Sequence, residues 1–248
     1  MVRAMTRFLL AALGAAAALA AMPAAAAAAA ERRYAVADFD RVVVEGPYIV
    51  RLTAGRASSA TASGGQAALD RVSIDVSGQT LRIRRNRSHW GGNPGAQEGP
   101  LEIELATRNL RSARLIGPAR LDVDRAEGLR VDLIVEGSGL LRATGVRADN
   151  LSIGLAGSGR IEIAGTAETV NADIQGTGDV DASALRAETA AITAATTGTV
   201  AFEVVREATV SAFGLGTVDI IGRPACTVRG PNAGLVRCAS ALDQRQYR

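Results

Sequence analysis

The chain has 248 residues, of which 28 are basic, all of them arginine, and 25 are acidic, with one histidine and two cysteines. Hydrophobic residues make up 48% of it but aromatic residues only 3%, which disfavours an aromatic-rich core and a base-stacking nucleic-acid surface. Because His89 is the only histidine, a multi-histidine metal site is excluded, and a Ser-His-Asp or Cys-His catalytic arrangement would have to include it.

The first 30 residues have the three parts of a secretory signal peptide. Arg3 and Arg7 form a positive segment, residues 8–19 are apolar, and residues 24–30 offer several Ala-x-Ala cleavage sites. A retained membrane anchor is the alternative, although the apolar run is short and rich in alanine for a spanning helix. We expect residues 1–30 to be removed, which leaves 26 basic and 25 acidic residues in a protein exported to the periplasm or cell surface, without a stable membrane span.

The segment 31–110 predicts irregular coils interrupted by loops. Residues 38–50 alternate around Gly46-Pro47 and predict a strand, a turn and a second strand. Residues 53–68 are small and polar and predict a loop or a loosely ordered strand. Residues 72–83 form another alternating pair around a turn, and residues 86–100, with four glycines and two prolines, predict a surface loop.

One pattern returns at a fixed spacing through residues 111–238. Its centre is a tight-turn triplet, and the last residues of successive triplets are 20, 20, 19, 20, 18 and 18 positions apart. Apolar residues alternate with polar ones on both sides, so each repeat predicts a strand, a glycine turn, a second strand and a looser connection. The triplets are Gly117-Pro118-Ala119, Gly137-Ser138-Gly139, Gly157-Ser158-Gly159, Gly176-Thr177-Gly178, Thr196-Thr197-Gly198, Gly214-Leu215-Gly216 and Asn232-Ala233-Gly234.

About twenty residues cannot close a hydrophobic core alone, so each repeat must stack on the next. Stacking places corresponding strands in parallel register about 4.8 Å apart, around an interior of valine, isoleucine, leucine and alanine. The sequence therefore predicts an all-β chain folded as a parallel β-solenoid, with a single domain over 31–238 and a polar tail at 239–248. An antiparallel sandwich is the alternative, but the same turn at the same phase in successive repeats favours stacking.

A column of charged residues on the wet face is the one candidate for catalysis. The position three after each triplet holds Asp122, Arg142, Glu162, Asp181, Ala201 and Asp219. Glu162 and Asp181 would lie in adjacent coils, which is the separation that a glycan-cleaving enzyme with two carboxylates could use. Alternating charges on a solvated sheet give the same pattern, so we predict a protein that is not an enzyme, with no metal and no cofactor.

Arginine is concentrated near the start of the repeats. The members are Arg82, Arg84, Arg85 and Arg87, followed by Arg108, Arg111 and Arg114. Arg82 and Arg84 share the strand face opposite Leu81 and Ile83, and Trp90 is close in sequence. The first four arginines with Trp90 are therefore the predicted contact surface, for an anionic envelope glycan or another envelope protein.

Both cysteines fall at inward positions of the last coil. Relative to the turn glycine, Cys226 has the phase of Leu151, and Cys238 has the phase of Ile163. Facing cysteines in an oxidising compartment tend to pair, so we predict a Cys226–Cys238 disulfide that fastens this coil. Two buried free thiols are the alternative.

Several phrases resemble one known family of bacterial envelope domains. They are Phe39-Asp40-Arg41-Val42 with Gly46-Pro47-Tyr48, Leu81-Arg82-Ile83, the recurring Gly-Ser-Gly and Gly-Thr-Gly turns, and Gly222-Arg223-Pro224. The chain is similar over residues 38–238 to the "putative auto-transporter adhesin, head GIN domain" family. The resemblance implies a β-solenoid acting as an adhesin-like binding or structural module, and it transfers no catalytic or binding residues. The two cysteines depart from the family pattern.

Overall fold

A computed structural model describes residues 30–86 and 101–238. Within these residues the protein is one sheet of 17 strands with one short α-helix and one 3-10 turn at Ala233–Leu235, wound as a parallel β-solenoid of about six turns with coils roughly 20 residues apart. The predicted fold class is therefore confirmed. The predictions for residues 1–29, for Arg87, His89 and Trp90, and for the tail 239–248 concern parts of the chain outside the described residues.

The secondary structure in chain order falls into an irregular part and a regular part. The irregular part contains β1 (Ala30–Tyr34), β2 (Arg41–Glu45), β3 (Tyr48–Ala54), β4 (Ser59–Gly64), α1 (Gln66–Arg71), β5 (Val72–Ser77), β6 (Thr80–Arg85) and β7 (Leu101–Thr107). The regular part contains β8 (Ser112–Ile116), β9 (Arg120–Val123), β10 (Ala126–Gly137), β11 (Leu140–Gly157), β12 (Arg160–Gly176), β13 (Asp179–Thr196), β14 (Thr199–Ala212), β15 (Thr217–Gly222), β16 (Ala225–Arg229) and β17 (Val236–Cys238).

Successive coils pair through three parallel ladders of strand segments. Ladder A precedes each glycine corner, and its register runs Leu133, Ile153, Ala172, Ile192 and Val210. Ladder B follows the corner, and its register runs Leu121, Leu141, Ile161, Val180, Val200, Val218 and Val236. These inward side chains are buried almost completely, apart from Val236 in the last coil, so the assigned strand phase is correct.

Ladder C is a third ladder, and the sequence pattern did not reveal it. It joins the segments 126–130, 146–150, 165–169, 184–189 and 203–207, which were predicted to be looser connections. The register slips between Ala143 and Val146 and again between Ala182 and Arg186. A bulge of this kind shifts a period-two pattern by one residue, so the alternation is hidden although the strands still pair.

The glycine corners depend on two different properties of glycine. In the four triplets from Gly117 to Gly176 the first glycine adopts positive φ, as Gly157 does at 123°, which is costly for a residue with a Cβ. The last glycine has no positive φ, but it lies directly on the coil beneath. A Cβ added at Gly159 would lie 2.6 Å from the Gly139 carbonyl oxygen and 2.7 Å from Val135 Cγ1. The close approach of the two coils is therefore the reason for glycine at the last position of the triplet.

One corner begins with threonine, where five of the seven triplets begin with glycine. Thr196 is buried, and its hydroxyl donates a hydrogen bond to the Gly178 carbonyl oxygen at 3.0 Å. The same hydroxyl accepts a hydrogen bond from the Gly198 N–H, also at 3.0 Å. These two bonds satisfy the buried hydroxyl, so the corner keeps its shape without the glycine.

The N-terminal part covers one end of the solenoid with antiparallel structure. Strands β2 and β3 pair in parallel with β8 and β9, as the first coil, whereas β4 pairs antiparallel with both β7 and β1. Strands β5 and β6 form an antiparallel hairpin. The segment 53–68, predicted as a loop or a loose strand, contains β4, and α1 beside it was not predicted. Leu69 of α1 is buried in the core, so the helix closes this end.

A charge at an inward position should unfold the solenoid. Ile153→Asp places an unpaired carboxylate in the dry interior, where Ile153 is 1% exposed, so we expect no cooperative melting transition at ordinary temperature. Ser152→Asp is the matched control on the outer face, and its cost should stay within about 1 kcal/mol, although Asp132 lies beside it in register. Thermal melting followed by circular dichroism measures both; equal melting temperatures would contradict the strand phase.

The stacking role of the corner glycine predicts a second pair of variants. Gly159→Ala should destabilise the protein by about 1–3 kcal/mol, because backbone atoms of two coils must separate to admit the methyl group. Gly154→Ala is the control, since its new Cβ would lie 3.5 Å from the nearest atoms of Ile134. We expect urea unfolding to show a change within about 1 kcal/mol for the control. A loss as large at Gly154 as at Gly159 would mean that close approach is not the cause.

Candidate functional site

The predicted contact surface begins on β6, at the edge of ladder A. Arg82 and Arg84 point outward and are exposed, while Leu81 and Ile83 are buried, as the alternation predicts. Each arginine has a carboxylate partner: Arg82 Nε lies 3.6 Å from Glu45 Oε1, and Arg84 Nη2 lies 3.5 Å from Asp75 Oδ2. These partners come from the two strands that flank β6.

Arg85 is separated from the other two arginines by the strand itself. It follows the inward phase of Leu81 and Ile83, but it is exposed because it is the last residue of β6. Among the described residues no carboxylate forms an ion pair with it. Burial raises the pKa of the Tyr48 hydroxyl, and the positive charge of Arg85 opposes this shift. The structure therefore does not place Arg82, Arg84 and Arg85 on one face.

Three further arginines of the concentration, Arg108, Arg111 and Arg114, are paired with carboxylates. Arg108 pairs with Asp38 at 3.6 Å, and Arg114 pairs with Glu136 at 3.4 Å. Arg111 makes two hydrogen bonds to Asp40, whose side chain is only 14% exposed. A cluster that looks basic in sequence thus carries a nearly balanced charge in space.

The carboxylate column on ladder B has the register that the sequence predicted. Asp122, Arg142, Glu162 and Asp181 are direct neighbours in four successive coils. Arginine is the closest partner of most of the acids in this column. Arg142 Nε donates a hydrogen bond to Glu162 Oε2 at 2.7 Å, and its Nη2 lies 2.6 Å from the same oxygen. Arg120 donates to Asp122 at 2.9 Å, and Arg237 lies 3.0 Å from Asp219.

The electrostatics of this column differ from those of an acid–base pair. Hydrogen bonds from the Ser183 hydroxyl and backbone N–H, at 2.6 and 3.1 Å, hold the pKa of Asp181 below its ordinary value. The Thr199 N–H does the same for the pKa of Asp179, at 2.8 Å. A general acid near neutral pH needs a raised pKa, whereas both shifts favour the carboxylate.

Neither a metal-binding cluster nor a membrane-spanning helix is found among the described residues. Across residues 30–86 and 101–238, no three side chains of the His, Cys, Asp and Glu types are grouped to hold a metal ion. In those residues there is also no helix with the length and apolar character needed to cross a membrane.

The two cysteines meet across the last coil. Cys226 belongs to β16 in ladder A, and Cys238 belongs to β17 in ladder B. Both are half-buried against the core, and they form a disulfide with a Cα–Cα distance of 6.6 Å. The bridge links the final strands of two ladders where no further coil follows within the described residues.

Sequence reasoning missed a set of exposed apolar residues near this same end. Phe213, Leu215 and Ile221 are large and exposed, although the chain around them follows the repeat. A comparison of each repeat position from coil to coil would have found them, because two of the three replace polar residues of the earlier coils.

The parallel ladders, the local ion pairs and the glycine corners together define an all-β solenoid with a regular outer surface. The chain belongs to the family described as "Putative auto-transporter adhesin, head GIN domain", whose model matches residues 38–224. This confirms the resemblance noted in the sequence.

Solved structures of similar fold include proteins from Bacteroides and Parabacteroides species. A "putative adhesin" of Bacteroides fragilis NCTC 9343 is 17% identical with a TM-score of 0.72, and the alignment covers 82% of this chain and 94% of that one. A "putative lipid binding protein" of Parabacteroides distasonis ATCC 8503 is 18% identical with a TM-score of 0.65, covering 83% and 95%. At these identities the likeness establishes the fold. A search of curated proteins found no match.

The disulfide leads to a prediction about the last coil. Replacing both Cys226 and Cys238 by serine should lower the free energy of unfolding by about 3 kcal/mol, because the bridge closes a loop across a sequence separation of 12. Urea unfolding measures the loss, and reduced wild-type protein should match the double variant. Thiol titration of the denatured, unreduced protein should find no free thiol; two per chain would show that the bridge does not form.

Proposed function

We propose that the protein is an exported, non-catalytic binding module of the bacterial cell envelope, similar in role to an adhesin. The observation that supports this best is its outer surface. Parallel register holds the side chains of successive coils in straight columns about 4.8 Å apart, a geometry suited to an extended or repeating partner. Membership of a family named for adhesins supports the same role.

Export is supported by two features that are far apart in the chain. Residues 1–30 have the composition of a signal peptide, and the disulfide at the other end is of the kind that persists in oxidising compartments. The mature protein would be a single solenoid domain over 31–238 in the periplasm or at the cell surface.

The contact surface that we propose is centred on the outward Arg82 and Arg84 of β6, with Arg85 at the end of the strand and Arg87 and Trp90 in the sequence that follows. The ion pairs of Arg82 and Arg84 are long, and their side chains are 51% and 53% exposed. Exposed pairs of this kind are worth about 0–1 kcal/mol, so a phosphate or sulfate group can compete with Glu45 and Asp75. The partner would be an anionic envelope glycan or an acidic surface of another envelope protein.

A glycan-cleaving enzyme is the second candidate, and the adjacency of Glu162 and Asp181 is the one observation that favours it. Arg142 donates a hydrogen bond to Glu162, and hydrogen bonds from Ser183 lower the pKa of Asp181, so Asp181 is not suited to act as the general acid that such a pair needs. We therefore favour the binding role. Release of reducing ends from envelope polysaccharide, lost in the Glu162→Gln variant, would support the enzyme instead.

The contact surface is tested by neutralising its arginines. Arg82, Arg84 and Arg87 are replaced together by glutamine, because glutamate would place a new carboxylate beside Glu45 or Asp75. Binding to isolated envelope fractions should fall about tenfold or more, and wild-type binding should weaken as salt rises. Protease treatment of the fractions distinguishes the partners, since binding to a glycan survives it and binding to a protein does not.

The matched control removes the same kind of charge from ladder B. Arg142→Gln with Arg160→Gln breaks ion pairs to Glu162 and Asp179, at a distance from the proposed surface. This variant should bind as well as wild type, and both variants should retain the wild-type circular dichroism spectrum. Undiminished binding by the triple variant would contradict the assignment of this surface.

A further inference from the structure

Exposed apolar side chains are concentrated at the C-terminal end of the solenoid. Four large hydrophobic residues are exposed in the described part of the chain, and three of them lie between positions 213 and 221. Phe213 is 56% exposed, Leu215 is 72% exposed and Ile221 is 43% exposed. The fourth, Leu129, is 76% exposed on ladder C, at the opposite end of the regular repeats.

Two of these residues, Leu215 and Ile221, break columns that are polar in the earlier coils. Leu215 is the centre of its triplet, where the four preceding coils hold Ser138, Ser158, Thr177 and Thr197. Ile221 follows in register Glu127, Arg147, Thr166, Arg186 and Glu203. Five coils therefore fold with a polar side chain at a position where this coil has isoleucine, so the fold does not require an apolar group there.

The last coil also leaves its interior partly open. The inward residues of the coil before it, such as Val218 and Ile220, are buried, whereas Val228, Val236 and Cys238 are only half-buried. No strand within the described residues pairs with the outer edge of β16 or β17. The other end differs, because α1 and the antiparallel strands cover it.

The chain at this apolar end has an excess of positive charge. From Ile220 to Cys238 the sequence has three arginines and no aspartate or glutamate. Arg237 pairs with Asp219, but within the described part of the chain neither Arg223 nor Arg229 has an ion pair. Most other arginines among the described residues are paired with carboxylates, so these two are among the few left to meet an anion from outside.

We propose that the C-terminal end, formed by Phe213, Leu215, Ile221, Arg223 and Arg229, docks on an anionic lipid bilayer. Hydrocarbon side chains beside unpaired arginines match the acyl and phosphate layers of such a surface. An interfacial site extends about 5–10 Å into the headgroup region, and one coil is about 4.8 Å high. Side chains of the next-to-last coil therefore reach the boundary between headgroups and acyl chains.

Two other partners fit these observations less well. A second copy joined end to end would bring arginines against arginines. Its contact would also be small, since five-residue strands span about 17 Å and facing sheets lie about 10 Å apart, giving on the order of 200 Å² where a stable dimer buries about 800 Å² per partner. A soluble anionic glycan would neutralise the arginines but leave Phe213 and Leu215 exposed to water.

This orientation places the predicted contact surface away from the membrane. Strand β6 lies at the N-terminal edge of ladder A, about six turns from β16. A solenoid standing on its C-terminal end would hold Arg82 and Arg84 farthest from the lipid. The docking site does not depend on the binding role proposed above, because it uses a different end of the molecule.

The test is co-sedimentation with synthetic vesicles, which contain neither glycan nor protein. The mature chain beginning at Glu31 should sediment with vesicles of phosphatidylcholine mixed equally with phosphatidylglycerol, and much less with phosphatidylcholine alone. Phe213→Ser with Leu215→Ser should lower the partition coefficient about tenfold or more, and serine restores the residue type of earlier corners at position 215. Arg223→Glu with Arg229→Glu should have a comparable effect and remove the salt dependence.

The control variants make the same kinds of substitution, an apolar residue to serine and an arginine to glutamate, at the other end of the repeats. Leu129→Ser and Arg130→Glu remove an exposed leucine and an exposed arginine that has no ion pair among the described residues, and both should sediment like wild type. Sedimentation of all variants equal to wild type, or no sedimentation of wild type with the anionic vesicles, would overturn the proposal. A wild-type dimer that Phe213→Ser with Leu215→Ser dissolves, without vesicle binding, would overturn it in favour of a second copy.

Discussion

The close stacking of one glycine corner on the next is the constraint on which the rest of the solenoid depends. The Ser158 N–H donates to the Gly137 carbonyl at 2.9 Å, and the Thr177 N–H donates to the Gly157 carbonyl at 2.8 Å. Because the backbone of one coil occupies the space where a Cβ of the next would lie, each corner can rest on its neighbour in only one register. A fixed register in turn decides which side chains of every ladder enter the core and which form the outer columns.

The outer columns explain why charge is arranged as it is. Side chains in register lie about 4.8 Å apart, so an arginine in one coil reaches a carboxylate in the next, as Arg142 reaches Glu162 and Arg160 reaches Asp179. Like charges in the same column would repel at this spacing. A solenoid with many arginines can therefore have a nearly neutral surface, and the few arginines without partners become the informative ones.

At each end of the solenoid the last strands have no further coil to pair with, and the two ends protect this open edge differently. The N-terminal end is closed by α1 and by antiparallel strands that cannot continue the parallel stack. The C-terminal end is fastened by the Cys226–Cys238 bridge, and its interior stays partly open beside exposed hydrophobic groups. The two ends therefore differ in chemistry: the arginines of β6 lie at one end, and the exposed residues Phe213, Leu215 and Ile221 lie at the other.

The sequence by itself determined the fold class, the coil length, the inward phase of residues such as Ile153 and Cys226, and the family. These features are local or periodic, so alternation and glycine spacing record them directly. Ladder C, the helix α1 and the pairing of Arg82 with Glu45 and of Arg114 with Glu136 were decided only by the tertiary structure. A bulge hides the alternation of ladder C, and an ion pair depends on which strands become neighbours after the chain has wound. For the same reason the arginine cluster looked more basic in sequence than it is in space.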